Sequence, residues 1–129
     1  MAHPFPGRQR TILVVDDERP LLTLLSEYLA SKGFQVLTAR DGQAGLEVAR
    51  SARPDLIVLD VMLPRLDGYA VARALKGDPG TATIPIIIFS TRVSAADQAA
   101  FKAAGAEVHV LKPFDPEQLL AKILALLPP

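Results

Sequence analysis

The chain has 129 residues, 14 basic against 14 acidic side chains, 11 prolines, no cysteine and no tryptophan. That is one domain of ordinary size, long enough to hide roughly two-thirds of its unfolded-chain surface without staples, and the missing cysteines exclude disulfides, zinc–thiolate sites and thiol catalysis. A net charge of zero, with basic side chains scattered from Arg40 to Lys102, argues against a polyanion-gripping protein, and no apolar stretch approaches the ~20 residues that span a bilayer. Residues 1–9 lack an apolar core segment, so they read as a flexible N-terminal tail rather than a signal peptide.

Five short apolar runs follow, at Thr11–Val15, Phe34–Thr38, Leu56–Asp60, Pro85–Ser90 and Val108–Leu111. Most are nearly continuous in Val, Ile and Leu, the pattern of strands covered by helices on both faces. Helical spacing fills the gaps, so the order is β and α alternating five times, which points to a parallel sheet with right-handed crossovers.

The first helix has Pro20 near its start, Leu22, Leu25 and Leu29 on one face, and Gly33 as its stop. The second opens at Gly42 and carries Leu46 and Ala49; its interior Gly45 costs about 1 kcal/mol relative to Ala and needs a packing reason. A third runs from Asp67 to Lys76, with Val71, Ala72 and Leu75 for the core, and the loop Lys76–Thr83 leads to the fourth strand. The fourth helix, Ser94–Ala104, is rich in Ala and poor in large anchors. The fifth opens on Asp115, Pro116 and Gln118, which resembles a capping box, and then shows a wide stripe of Leu119, Leu120, Ile123, Leu124 and Leu127.

In a parallel sheet of this kind ligands bind beyond the C-terminal strand ends. There the first strand offers Asp16 and Asp17, the third Asp60, the fourth Ser90 and Thr91, and the fifth Lys112. Carboxylates brought together repel unless a cation or proton joins them, and a hard divalent ion, Mg²⁺ above all, suits an all-oxygen site. Lys112 adds a mobile point charge suited to phosphate and Ser90 a donor. Taken singly, Asp16 and Asp17 could be a helix cap and its neighbour, Asp60 a turn residue before Pro64, and Lys112 a surface lysine. Their convergence at one end of one sheet is what the bland reading does not require.

These residues stand in motifs that resemble the response-regulator receiver domain of bacterial two-component signalling. The resemblance covers residues 10–127. It is carried by Val14-Val15-Asp16-Asp17-Glu18, Ala39-Arg40-Asp41-Gly42, Pro54 through Asp60, Met62-Leu63-Pro64 with Asp67-Gly68, Ile84-Pro85 through Ser90, Ala103-Ala104-Gly105-Ala106, and Lys112-Pro113-Phe114.

The resemblance implies a doubly wound, flavodoxin-like (βα)5 fold with five parallel strands in the order 2-1-3-4-5. It implies that Asp60 accepts a phosphoryl group from a phosphohistidine, and that Asp16, Asp17, Asp60 and the backbone carbonyl of Met62 hold Mg²⁺. Lys112 corresponds to the lysine that contacts the phosphoryl group, and the Lys112–Pro113 peptide is expected to be cis, an isomer only proline makes accessible. Ser90 corresponds to the switch hydroxyl, and His109 stands in place of the switch aromatic, usually Tyr or Phe. Phosphorylation adds roughly one to two negative charges; Ser90 is then expected to move toward it, leaving room for His109 to turn inward and altering the surface of the fourth helix, fifth strand and fifth helix.

The expected partners are a sensor histidine kinase or histidine phosphotransfer protein and a downstream effector or missing output domain, in the cytoplasm, with no direct nucleic-acid or membrane contact. The fourth helix, with Asp97 and Lys102, reads as an effector or dimer surface for a phosphorylation-dependent homodimer, without the dense basic and acidic pairs of winged-helix DNA-binding receivers. Because no output domain is read in the chain, it is expected to be a single-domain regulator or a receiver from a longer protein.

Thr91 and Leu111 are larger than the residues usual at their positions, while Met62 and Arg92 sit where the family tunes phosphoryl lifetime. His109 reads as a neutral stand-in for the aromatic; the sharper alternative is that its protonation weakens the inward swing and makes the output pH-sensitive. A separate enzyme is disfavoured: Asp60-Val61-Met62 lacks the second carboxylate of haloacid-dehalogenase phosphatases, and there is no glycine-rich nucleotide loop. The alternative is a receiver-like interaction module that does not use phosphorylation.

Overall fold

In the computed structural model, which describes residues 9–127, strand and helix alternate five times. The elements are β1 (Thr11–Val15), α1 (Arg19–Ser31), β2 (Gln35–Ala39), α2 (Gly42–Ala52), β3 (Leu56–Asp60), α3 (Gly68–Lys76), β4 (Ile86–Ser90), α4 (Ala95–Ala104), β5 (Val108–Leu111) and α5 (Pro116–Leu126). All strand pairs are parallel, and the sheet order is β2-β1-β3-β4-β5, as expected. The expectations for residues 1–8, 128 and 129 lie outside the described residues. Gln9, the last residue of the expected tail, donates from its amide to the Gly33 carbonyl at 3.0 Å.

Side chains alternate across the sheet, so each strand feeds two cores. Leu13, Val15, Ile57, Leu59, Ile86 and Ile88 meet α2, α3 and α4 on one face. On the other, Ile12, Val14, Leu56, Val58, Ile87 and Phe89 meet Leu22, Leu25 and Leu29 of α1 and Leu119 and Ile123 of α5. Each such buried side chain contributes about 1.5–3 kcal/mol, which is why β1, β3 and β4 read as continuous apolar runs.

The packing reason for Gly45 is visible: a Cβ there would lie 3.0 Å from both Val15 methyl groups, so α2 sits close over β1. Gly33, at φ 99°, follows α1 as its left-handed stop. Asp67 caps α3 by accepting from the Ala70 N–H. At α5 the expected box is an Asp115 cap onto the Glu117 N–H; the reciprocal box is on α4, between Ser94 and Asp97.

The chain winds from β1 outward to β2, then crosses back over β1 to β3. The crevice of a doubly wound sheet lies at that reversal, beyond the strand ends. Val15 is paired with Leu59, so the next residues along, Asp16 and Asp60, emerge side by side there.

Candidate functional site

One carboxylate oxygen from each of Asp16, Asp17 and Asp60 lies within 4.8 Å of the others. Asp16 is fully buried; one oxygen accepts the Glu18 N–H at 2.7 Å and the other accepts Lys112 Nζ at 2.9 Å. Asp60 is 5% exposed, with Oδ1 3.4 Å from the same ammonium, while Asp17 is exposed. Lys112 also reaches Glu18 at 3.4 Å, a carboxylate to which the sequence reading gave no role. Lys112 Nζ sits 4.7 Å over the Phe89 ring, which orients the ammonium further.

Burial pushes the Asp60 carboxyl above its usual range, and the negative Asp16 adds to this; Lys112 and a hydrogen bond from the Val61 amide oppose but do not cancel it. For Lys112, burial acts to lower the pKa, but the hydrogen bond with Asp16 and the charges of Asp60, Asp16 and Glu18 outweigh it and hold the group above its ordinary value. One ammonium among three clustered carboxylates leaves two negative charges. The donors are all hard oxygens, which is the chemistry of a Mg²⁺ site rather than of a softer metal.

The loop after β3 is folded against the site by close backbone contacts. The Leu63 and Gly68 amides both donate to the Val61 carbonyl, at 3.0 and 2.9 Å, and the Gly42 amide donates to the Pro64 carbonyl at 3.2 Å. A Cβ on Gly68 would stand 2.1 Å from the Asp60 carbonyl oxygen, and one on Gly42 would stand 1.7 Å from that of Leu66. Only glycine lets α2 and α3 start this close to the loop that carries Met62.

At the end of β5 the Lys112 amide donates to the Ser90 carbonyl at 2.9 Å, and the Lys112–Pro113 peptide is cis, as expected. Ser90 is buried, and its hydroxyl lies 3.3 Å from His109 Nε2. The His109 ring packs against Phe101 of α4, with centroids 5.7 Å apart. His109 is thus in contact with the hydroxyl whose departure is expected to let it turn inward. Thr91 and Leu111 are exposed.

Asp97 departs from expectation. Rather than lining an effector surface, it is 5% exposed, with Oδ1 3.0 Å from Arg92 and Oδ2 accepting from the Ser94 hydroxyl at 2.6 Å. The Tyr69 hydroxyl of α3 approaches Oδ1 at 3.5 Å. A hydroxyl followed three residues later by an acid is a helix-start pattern, and reading it at Ser94 would have turned Asp97 inward.

A family model for the response regulator receiver domain matches residues 12–124. The response regulator MprA of Mycobacterium tuberculosis is 44% identical over 116 residues, covering 90% of this chain and 50% of that protein. The chain spans about half the length of the curated relatives it matches. Among solved structures, the chemotaxis protein CheY4 of Vibrio cholerae superposes with a TM-score of 0.87 at 32% identity, covering 93% of this chain and 100% of that one. The receiver domain of the sensor histidine kinase PA1611 of Pseudomonas aeruginosa, which has a magnesium ion coordinated in its active-site cleft, superposes with a TM-score of 0.84 at 28% identity over 92% of this chain and 97% of that one.

Proposed function

This chain belongs to the response regulator receiver domain family of two-component systems, and we propose on that footing that Asp60 accepts a phosphoryl group from a phosphohistidine donor. The observation that carries the reading is Asp60 itself: a nearly buried carboxylate at the end of β3, clustered with Asp16 and Asp17 and facing the ammonium of Lys112. Titratable groups gathered in a crevice, with burial and a specific charge partner acting on them, mark a candidate functional site.

Asp16, Asp17, Asp60 and the Met62 carbonyl would hold Mg²⁺, and the magnesium in the PA1611 cleft supports this assignment. The ion would supply the two positive charges that the cluster lacks and shield the incoming phosphoryl oxygens. In the transfer an Asp60 oxygen forms the P–O bond as the P–N bond breaks, the electron pair leaves with the imidazole nitrogen, and that nitrogen is protonated. Lys112, held by Asp16, turns the N–H bonds that now face Asp60 and Glu18 to the phosphoryl oxygens as a compact cation. Ser90 then exchanges its present contacts for one of those oxygens, and His109 moves with it. The moved pair shifts an equilibrium between two packings of α4, β5 and α5, and a downstream protein or output domain reads that surface.

The protein acts on no separate substrate in this scheme; it takes and loses its own phosphoryl group in the cytoplasm. The test is intact-mass measurement after incubation with acetyl phosphate or phosphoramidate and Mg²⁺. A gain of one phosphoryl group that is absent in Asp60→Asn supports the reading. No gain in the wild-type chain supports an interaction module that works without phosphate.

A further inference from the structure

We propose that Asp97 is a positioning residue that latches the Ser90 hydroxyl in its resting place, acting through Arg92. The inference rests on the phosphoryl-acceptor reading above. Arg92 holds Ser90 with its backbone: its N–H donates to Ser90 Oγ at 3.2 Å, and its carbonyl lies 3.3 Å from the same oxygen. Its side chain is half-exposed, yet the guanidinium is tied at 3.0 Å to a carboxylate that is almost wholly buried.

Exposed ion pairs usually contribute little, because both side chains are free to leave. Here one partner is fixed. The Ser94 hydroxyl and the Ser94 amide both donate to Asp97 Oδ2, at 2.6 and 3.2 Å, and the Asp97 amide donates back to Ser94 Oγ at 3.1 Å. Tyr69 brings α3 to the other oxygen. The Ser94 hydrogen bonds hold the Asp97 carboxyl below the usual range, against the effect of burial and with help from Arg92, so it is ionised at neutral pH. The turn Ser90–Arg92 is therefore closed at one end by its own hydroxyl and pinned at the other to the first turn of α4.

To reach a phosphoryl group on Asp60, the Ser90 hydroxyl must leave the Arg92 backbone. The Arg92–Asp97 pair is made in the resting arrangement, so it biases the switch toward rest, and removing it makes switching easier. A helix cap alone would not do this, since a cap stabilises α4 in either state.

The test is the affinity for beryllofluoride, a phosphoryl mimic, measured with Mg²⁺ present. Arg92→Ala and Asp97→Asn should each tighten binding on the order of fivefold, the double variant should tighten it no further, and Arg92→Lys should restore most of the wild-type value. Ser94→Ala, which removes the hydroxyl that fixes Asp97, should lower the melting temperature and tighten binding no more than Arg92→Ala does. Wild-type binding with unchanged affinity in Arg92→Ala overturns the latch alone, as does further tightening in the double Arg92→Ala, Asp97→Asn variant. No binding by the wild-type chain overturns the acceptor reading and the latch with it.

Discussion

Lys112 and Asp16, 96 residues apart in the chain, are joined by a 2.9 Å hydrogen-bonded ion pair in which the carboxylate is fully buried. The pair ties the end of β5 to the end of β1 across β3 and β4 and sets the ammonium against Asp60.

Lys112→Ala leaves Asp16 as an uncompensated buried charge. Breaking one partner of such a pair costs on the order of 3 kcal/mol. Urea unfolding without divalent metal should show that loss, and added Mg²⁺ should recover part of it. Phosphoryl uptake at Asp60 should also slow, because no other ammonium is placed within 4 Å of its carboxylate among the described residues.

Asp17 is exposed, and its side chain packs into neither core, so Asp17→Asn should fold as the wild-type chain does. Ligand that binds only the folded state raises its stability, by about 1.4 kcal/mol at ten times the dissociation constant. Thermal melts should therefore rise with Mg²⁺ in the wild-type chain and rise much less in Asp17→Asn. An equal rise in both would remove Asp17 from the metal site.

Gly68→Ala places a methyl carbon against the Asp60 carbonyl oxygen, a backbone atom that cannot rotate away. The loop must shift, and we expect a loss of about 3 kcal/mol or more together with loss of phosphoryl uptake. Gly80→Ala is the control, since its new methyl would make only ordinary contacts at 3.5 Å; it should stay within about 0.5 kcal/mol of wild type.

Asp97 predicts part of the acid limb of stability. Its folded-state pKa is lowered, first by the Ser94 hydrogen bonds and then by Arg92, with burial opposing. A depressed carboxylate contributes stability that is fully present above the unfolded-state value near ~3.9 and is lost as pH falls through the lower folded value. Chemical unfolding between neutral pH and about pH 2 should show a shallower acid loss in Asp97→Asn than in the wild-type chain. Equal slopes would show that Asp97 titrates alike in the folded and unfolded chains.

The strands and the site cluster were legible because both obey local rules. Continuous Val, Ile and Leu runs are what a sheet buried on two faces needs, and Asp16, Asp60 and Lys112 declare themselves by closing such runs. Boundaries were less legible: Phe34 and Pro85 lie just before β2 and β4, since Phe34 packs as a core residue at a turn and the Pro85 nitrogen cannot donate to the ladder. The burial of Asp97 and the resting contacts of His109 were not legible for a different reason. Their positions depend on contacts from Arg92, Ser94, Tyr69, Ser90 and Phe101, on other elements or an adjoining loop, and helical or strand periodicity does not encode such partners.

Asp60, and no other side chain, is expected to carry the phosphoryl group. Acyl phosphates are reduced by borohydride to the alcohol, so treating the acetyl-phosphate-loaded chain and mapping its peptides locates the modified carboxylate directly. Reduction should be confined to Asp60 and abolished when Mg²⁺ is withheld. Reduction at Asp16, Asp17 or any other carboxylate, with Asp60 untouched, would overturn the assignment of Asp60 as acceptor.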